Sequence, residues 1–511
     1  MIRERVLRAS LTNWLNQVAT LAIRFVLTPF ILHRLGDTQF GLWALIGAVI
    51  GQGEMLDFGI KAALTKYAAE FHSQGEYGQA RRLIATSFLL YCGLGLLALL
   101  AAATVAPIFP HLFNVPPSEQ GTAMIVVLLM GVQLAVTLPG SASGAVLWGL
   151  HRYGLVNALI MTSTVLSAVI TVTVLLAGGG LIAMVAAGIP LAFGMLGGGI
   201  YLLNLVAPEL RLSLREARRD LVRSVVSFSS ATFTIETAAS LQIKFNEIII
   251  GAFMPISAVS PYSLARRMSD VPQTAAAQTI GGYIPLASEL QAGGSTDRLR
   301  ALYLVGSRVA LAVCVPLAAV LIALAGPLLA LWVGPQYSQY APIVVILALT
   351  SVASITRQPG GLIVQGMGRH HRLAVAYVCA ALANVAIAIL LVRPYGLLGV
   401  AVATLISSIG LNLCYVWPFV LRLLDIRWLD FLNQALLPGL VPVLPMTAVI
   451  YGMDRFVPTS GIMSISVIAA AALLTYAAAY LVFGAGDPEK RLLRGILANL
   501  RSASLLRSKA P

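Results

Sequence analysis

The sequence predicts an all-α polytopic membrane protein of about fourteen transmembrane helices: two pseudo-symmetric six-helix lobes and two further C-terminal helices. Three observations carry this. The chain has 511 residues, a mean hydropathy of +0.87 and only 11% charged residues, against about 25% in soluble proteins. Its apolar stretches match the ~20 helical residues that cross ~30 Å of hydrocarbon. Its short connections are basic, and several motifs recur in order 216 to 220 residues further on. The formal net charge of +14 sits largely in those connections, so it marks topology and not a nucleic-acid partner.

The first span, 10–33, is the most informative. Arg24 lies well inside it and Pro29 follows five residues later. A charge at mid-membrane costs about 2.5–3.5 kcal/mol. Proline removes an amide donor and crowds the carbonyl four residues back, at Phe25, so a bend beside the charge is expected. Asn13, Asn16, Gln17 and Arg24 interrupt the clean apolar core that a signal peptide needs, so the helix is read as retained. Leu35-Gly36-Asp37-Thr38 separates it from 40–59. Spans 83–106, 121–148, 153–177 and 181–206 complete a lobe over 1–206, with Gly178-Gly179-Gly180 between the last two.

A basic connection, 207–223, follows, with Arg211, Arg215, Arg218, Arg219 and Arg223. The second lobe, 224–421, holds spans 224–252, 257–287, 299–325, 340–367, 372–393 and 396–421. Two additional spans, 431–452 and 463–484, occupy 422–486. In the tail, 487–511, Leu492, Leu493, Ile496, Leu497 and Leu500 recur at helical spacing against Lys490, Arg491, Arg494 and Arg501, the pattern of a helix lying on an anionic leaflet.

With the N-terminus in the cytoplasm, twenty-five of the 34 Lys and Arg residues fall in cytoplasmic segments and three on the opposite side. That imbalance places both termini in the cytoplasm. The repeats support two lobes related by an axis along the membrane normal. Pro139-Gly140 matches Pro359-Gly360, Trp148 to Arg152 matches Gln365 to Arg369, and Gly180 to Ala187 matches Gly396 to Ala403.

Six basic residues remain inside spans: Arg24, Lys244, Arg266, Arg267, Arg308 and Arg357. Left facing lipid, they would cost roughly 15–20 kcal/mol, more than a typical fold's whole stability. They are expected to face a hydrated interior, where guanidinium forks suit phosphate oxygens. The alternative is internal salt bridges, since Arg266 and Arg267 lie four and three residues from Asp270, and Lys244 three from Glu247. Glu54, Glu236 and Asp270 are the candidates for carrying a proton or sodium ion. No phosphate-binding loop, cofactor motif or metal spacing is visible, and His370-His371 reads as a solvated loop. Cys92, Cys314, Cys379 and Cys414 all lie in apolar spans and read as packing residues.

Two stretches then carry a resemblance. Leu35-Gly36-Asp37-Thr38-Gln39-Phe40-Gly41-Leu42-Trp43-Ala44-Leu45 with Leu56-Asp57-Phe58-Gly59-Ile60 is one. Glu247 to Phe253 with Ala258-Val259 and Tyr262 to Met268 is the other. They resemble the polysaccharide-biosynthesis membrane proteins, the O-antigen and teichoic-acid flippases. That family belongs to the multidrug/oligosaccharidyl-lipid/polysaccharide exporter superfamily. The resemblance implies a non-enzymatic carrier that moves a polyprenyl-diphosphate-linked oligosaccharide across the inner membrane by alternating access. Lipid-linked oligosaccharide and membrane lipids are the implied partners, with polysaccharide polymerase and glycosyltransferases as neighbours in assembly. The diphosphate would pair with Arg24, Lys244 and the four other cations in a cavity between the lobes. A multidrug-type cation antiporter on the same fold is the main rival, and a membrane-embedded glycan polymerase or ligase the second.

Overall fold

The computed structural model describes residues 2–51, 57, 59–218, 220–222, 245–369, 371–455 and 461–486, except for the side chains of 2–16 and 454. Every regular element among them is helical. Ten helices there are long and apolar enough to cross a membrane.

The principal helices are α1 (Ile2–Ile50), α2 (Ile60–Ser73), α3 (Tyr77–Val105), α4 (Gln120–Gly149), α5 (Tyr153–Leu176) and α6 (Gly188–Val206). After the connection come α7 (245–253), α8 (Val259–Ala277), α9 (Tyr283–Ala292), α10 (Thr296–Ala323), α11 (Ala341–Gly366) and α12 (His371–Leu411). Then follow α13 (Trp417–Leu423), α14 (Val443–Asp454) and α15 (Ile462–Ala479). Two helices each cover two expected spans. α1 breaks at Gly36 (φ 75°, ψ 170°) and α12 at Gly396 (φ 57°, ψ −136°). Both residues need positive φ, which glycine supplies without a Cβ clash. The expected span 224–252 is described only from residue 245. Span 257–287 appears as α8 and α9, and α8 is too polar, with Arg266, Arg267 and Asp270, to count among the ten. The tail, 487–511, lies outside the described residues.

The chain forms two compact units, one of Met1–Leu264 with Tyr377–Ala403, the other of Ala265–Ala376 with Thr404–Pro511. In the first, α2, α3 and α4 pack around a core that includes Leu64, Leu83, Ile84, Tyr91, Leu147 and Leu210. Leu210 belongs to the basic connection, which is thereby folded onto the core and is not a loose linker.

In the second unit, α8 is tied to α11 by Ser269, whose hydroxyl donates to the Val344 carbonyl at 3.1 Å. In return the Ser351 hydroxyl donates to the Ser269 carbonyl at 2.6 Å. Asn412 opens a π-turn, Asn412–Val416, between α12 and α13. Its amide donates to the Ala353 carbonyl (2.6 Å) and the Thr356 hydroxyl (3.1 Å) on α11. Insertion of such a side chain is a recognised cause of local widening. At the start of α10, Arg300 donates to the Leu424 carbonyl at 2.6 Å and pairs with Asp425 at 2.7 Å and Asp297 at 3.1 Å.

One pair of repeated motifs is built alike in the two units. α4 ends at Gly149 and α11 at Gly366, where an added Cβ would meet the carbonyl oxygen of Thr65 or of Ile284 at 2.5 Å. Both ends close with the same bonds: Arg152 N–H to the Leu147 carbonyl (2.9 Å), and Arg369 N–H to the Val364 carbonyl (3.0 Å). His151 (φ 56°) and Gly368 (φ 72°) take the left-handed position of each cap.

Candidate functional site

Arg24 is exposed on α1 in the first unit. Around it side chains bond to carbonyls near Pro29, and the non-helical residue of α1 is Gly36, not the Pro29 region where the sequence predicts a bend. The Thr28 hydroxyl donates to the Arg24 carbonyl at 2.7 Å, and His33 Nδ1 lies 2.7 Å from the Pro29 carbonyl. Among the described residues the Arg24 guanidinium makes no hydrogen bond or ion pair. The salt-bridge reading of this charge therefore has no partner there. Lys244, Glu54 and Glu236 lie outside the described residues.

The other four cations are in the second unit. Arg266 and Arg267 are half-buried on α8 and each is engaged by neighbouring groups, while Asp270 is exposed one turn on. Arg308 sits near the middle of the apolar helix α10, half-buried, with Nη1 donating to the Gln434 carbonyl at 3.4 Å. Gln434 belongs to another π-turn, Leu432–Leu436. Arg357 is half-buried on α11, two residues before the buried Pro359.

Sequence reasoning passed over a buried polar chain in the first unit. Asn384 Nδ2 donates to Asn246 Oδ1 at 3.1 Å, and Asn246 Nδ2 donates to the Tyr262 hydroxyl at 3.0 Å. Asn384, Asn246 and Glu247 are 0%, 2% and 3% exposed. Glu247 is a buried carboxylate next to Asn246 in the chain, while Asp270 is exposed. The sequence signal for this polar chain is single amides within apolar stretches.

The stretches that carried the resemblance turn out to be joints. Gly36 is the break in α1. Asp37 accepts from the Ser260 hydroxyl at 3.1 Å, and Gln39 donates to Glu119 at 3.1 Å. Asp57 accepts from the Tyr91 hydroxyl and, at 3.3 Å, from the Lys61 N–H at the start of α2.

Residues 31–342, well over half of the chain, match the family described as polysaccharide biosynthesis protein. The chain belongs to that family. Among its relatives, an uncharacterized membrane protein of Bacillus subtilis, EpsK, is 22% identical over 433 residues, 81% of this chain and 82% of that one. The probable flippase AglR of Haloferax volcanii is 22% identical over 411 residues, 79% and 81% of the two chains. Among solved structures, the lipid II flippase MurJ in an inward closed conformation is similar with a TM-score of 0.70 at 13% identity. The match covers 96% of this chain and all of that one. An inward-facing multidrug-resistance MATE transporter is similar with a TM-score of 0.69 at 13% identity, over 80% and 94%. The chain is thus a multi-pass membrane protein with the fold seen in these transporter and flippase structures.

Proposed function

We propose that the protein is a flippase that carries a polyprenyl-diphosphate-linked oligosaccharide from the cytoplasmic to the outer leaflet during cell-surface polysaccharide assembly. The observation that carries this reading is membership of the polysaccharide biosynthesis family on a fold shared, over 96% of the chain, with a lipid II flippase. The cations within the expected spans support it. Arg24, Arg266, Arg267, Arg308 and Arg357, with Lys244, are the residues proposed to attract the diphosphate. Glu247 is proposed, alongside Glu54, Glu236 and Asp270, as a candidate to take the proton or cation that resets the carrier. Loss of the gene is expected to leave lipid-linked oligosaccharide accumulated on the inner leaflet, read by extracting labelled lipid-linked sugar and testing its accessibility to an impermeant enzyme. Normal export after loss would refute the reading.

The fold likeness to a multidrug transporter favours a second reading, efflux of organic cations. In that case loss of the gene sensitises cells to cationic drugs and leaves the lipid-linked sugar pool unchanged.

Orientation is part of the proposal. The connection 207–223 and both termini are placed in the cytoplasm, because the basic connections concentrate on one side. In a cysteine-free background, Ser213→Cys is expected to resist an impermeant thiol reagent added to intact cells and to react once the membrane is opened. Efficient labelling from outside would invert the topology.

A further inference from the structure

The connection between the two families of spans is held in one place by four separate contacts. Leu210 is fully buried and Leu212 packs half-buried on the same core. Glu216 pairs with Arg81 on α3 at 3.3 Å. The Arg218 N–H donates to the Thr86 hydroxyl at 2.9 Å, and that hydroxyl donates to the Arg82 carbonyl at 2.7 Å. So fixed, the segment presents Arg211, Arg215 and Arg218 exposed, with Arg82 exposed on α3 beneath them. Among the described residues none of the three guanidinium groups has an ion-pair or hydrogen-bond partner. The nearest acid in sequence, Glu216, is already neutralised by Arg81, and Glu209 and Asp220 flank the segment at the surface. Between the arginines, Leu214 is 51% exposed. Free arginines around a protruding leucine, on a segment pinned beside the end of an apolar helix, are the composition of an interfacial anchor.

We infer that residues 207–218 form a fixed binding platform for the head groups of anionic phospholipid. Arg211, Arg215 and Arg218 take the phosphates, and Leu214 dips toward the acyl boundary. A tethered, ordered segment avoids the entropy that a free linker would lose on binding. A leaflet phosphate and the diphosphate of a lipid-linked sugar share the chemistry that guanidinium groups recognise. The platform is assigned to the leaflet because its arginines are spread along eight residues of surface chain, suited to several single phosphates. The inference rests on the proposed orientation only for which leaflet is meant.

The test uses the full-length protein in nanodiscs of phosphatidylethanolamine and phosphatidylglycerol, which offer both lipids in both leaflets. Its outcome is therefore independent of topology and of transport. The measurement is the ratio of phosphatidylglycerol to phosphatidylethanolamine retained by the protein in native mass spectrometry. The triple variant Arg211→Gln, Arg215→Gln, Arg218→Gln is expected to lower retention of phosphatidylglycerol by roughly fivefold per arginine. The control Arg455→Gln is expected to leave it unchanged. Should the triple variant fail to accumulate, the three single variants read the same ratio and are each expected to lose roughly fivefold. Parental retention in the triple or single variants overturns the platform. So does displacement of phosphatidylglycerol by a long-chain polyprenyl diphosphate at low molar ratio from the parental protein only, which would assign the arginines to the transported lipid.

Discussion

Arg24→Glu is expected to abolish glycan export while the protein still reaches the membrane in near-parental amounts, and Lys244→Glu is expected to do the same. Arg24 lies inside an apolar helix, is exposed, and makes no ion pair among the described residues. Its removal therefore breaks no bridge to any described residue. On the proposed function, replacement by Ala would delete one charge-assisted contact to the diphosphate, a loss of at least about tenfold in transport. Replacement by Glu adds repulsion at close range, so the loss should be greater still. The measurement is export rate normalised to protein level. Parental export by well-accumulated Arg24→Glu and Lys244→Glu variants would make both charges structural and leave the flippase reading on family and fold alone.

Gly149→Ala and Gly366→Ala are expected to destabilise the protein, each by about 1–3 kcal/mol. At both positions the new methyl would lie 2.5 Å from a backbone carbonyl oxygen. Backbone oxygen cannot swing aside as a side chain can, so the helix crossing has to open. Gly144 in α4 and Gly410 in α12 provide the controls, because nothing lies within 4 Å of a Cβ added at either. There, alanine is expected to be neutral or stabilising by up to about 1 kcal/mol, from its better helix propensity. Thermal unfolding of purified protein in detergent separates the two pairs. Equal melting temperatures for Gly149→Ala and Gly144→Ala would show that the crossing tolerates the methyl group.

These glycines also show what could be read from the chain. Trp148 to Arg152 and Gln365 to Arg369 were matched as text. In three dimensions they are the same object, a helix end closed by a left-handed cap and crossed by a neighbouring backbone. Long apolar runs and their glycine punctuation were legible because burial in lipid imposes them on every residue. Asn246 and Asn384 were not legible as a pair, since they lie 138 residues apart and one amide barely lowers the hydropathy of a span. The folded state of the connection was hidden for a related reason. Its arginines dominate the composition, while two leucines, Leu210 and Leu212, hold it to the core. The π-turns at 412–416 and 432–436 leave no signature that helix periodicity alone reveals.

The break in α1 is confined to a single residue, and this bears on how the chain can change in length. A residue inserted within a helix turns everything beyond it by about 100° and advances it by about 1.5 Å. Around Gly36 there is no slack to absorb that. Asp37 follows at once and must meet Ser260, and Gln39 must meet Glu119. Insertions and deletions during divergence, or a tag added by an experimenter, would misalign both contacts and every side chain on the following turn. Near residue 36 descent is free to alter the chemistry of side chains but hardly their number.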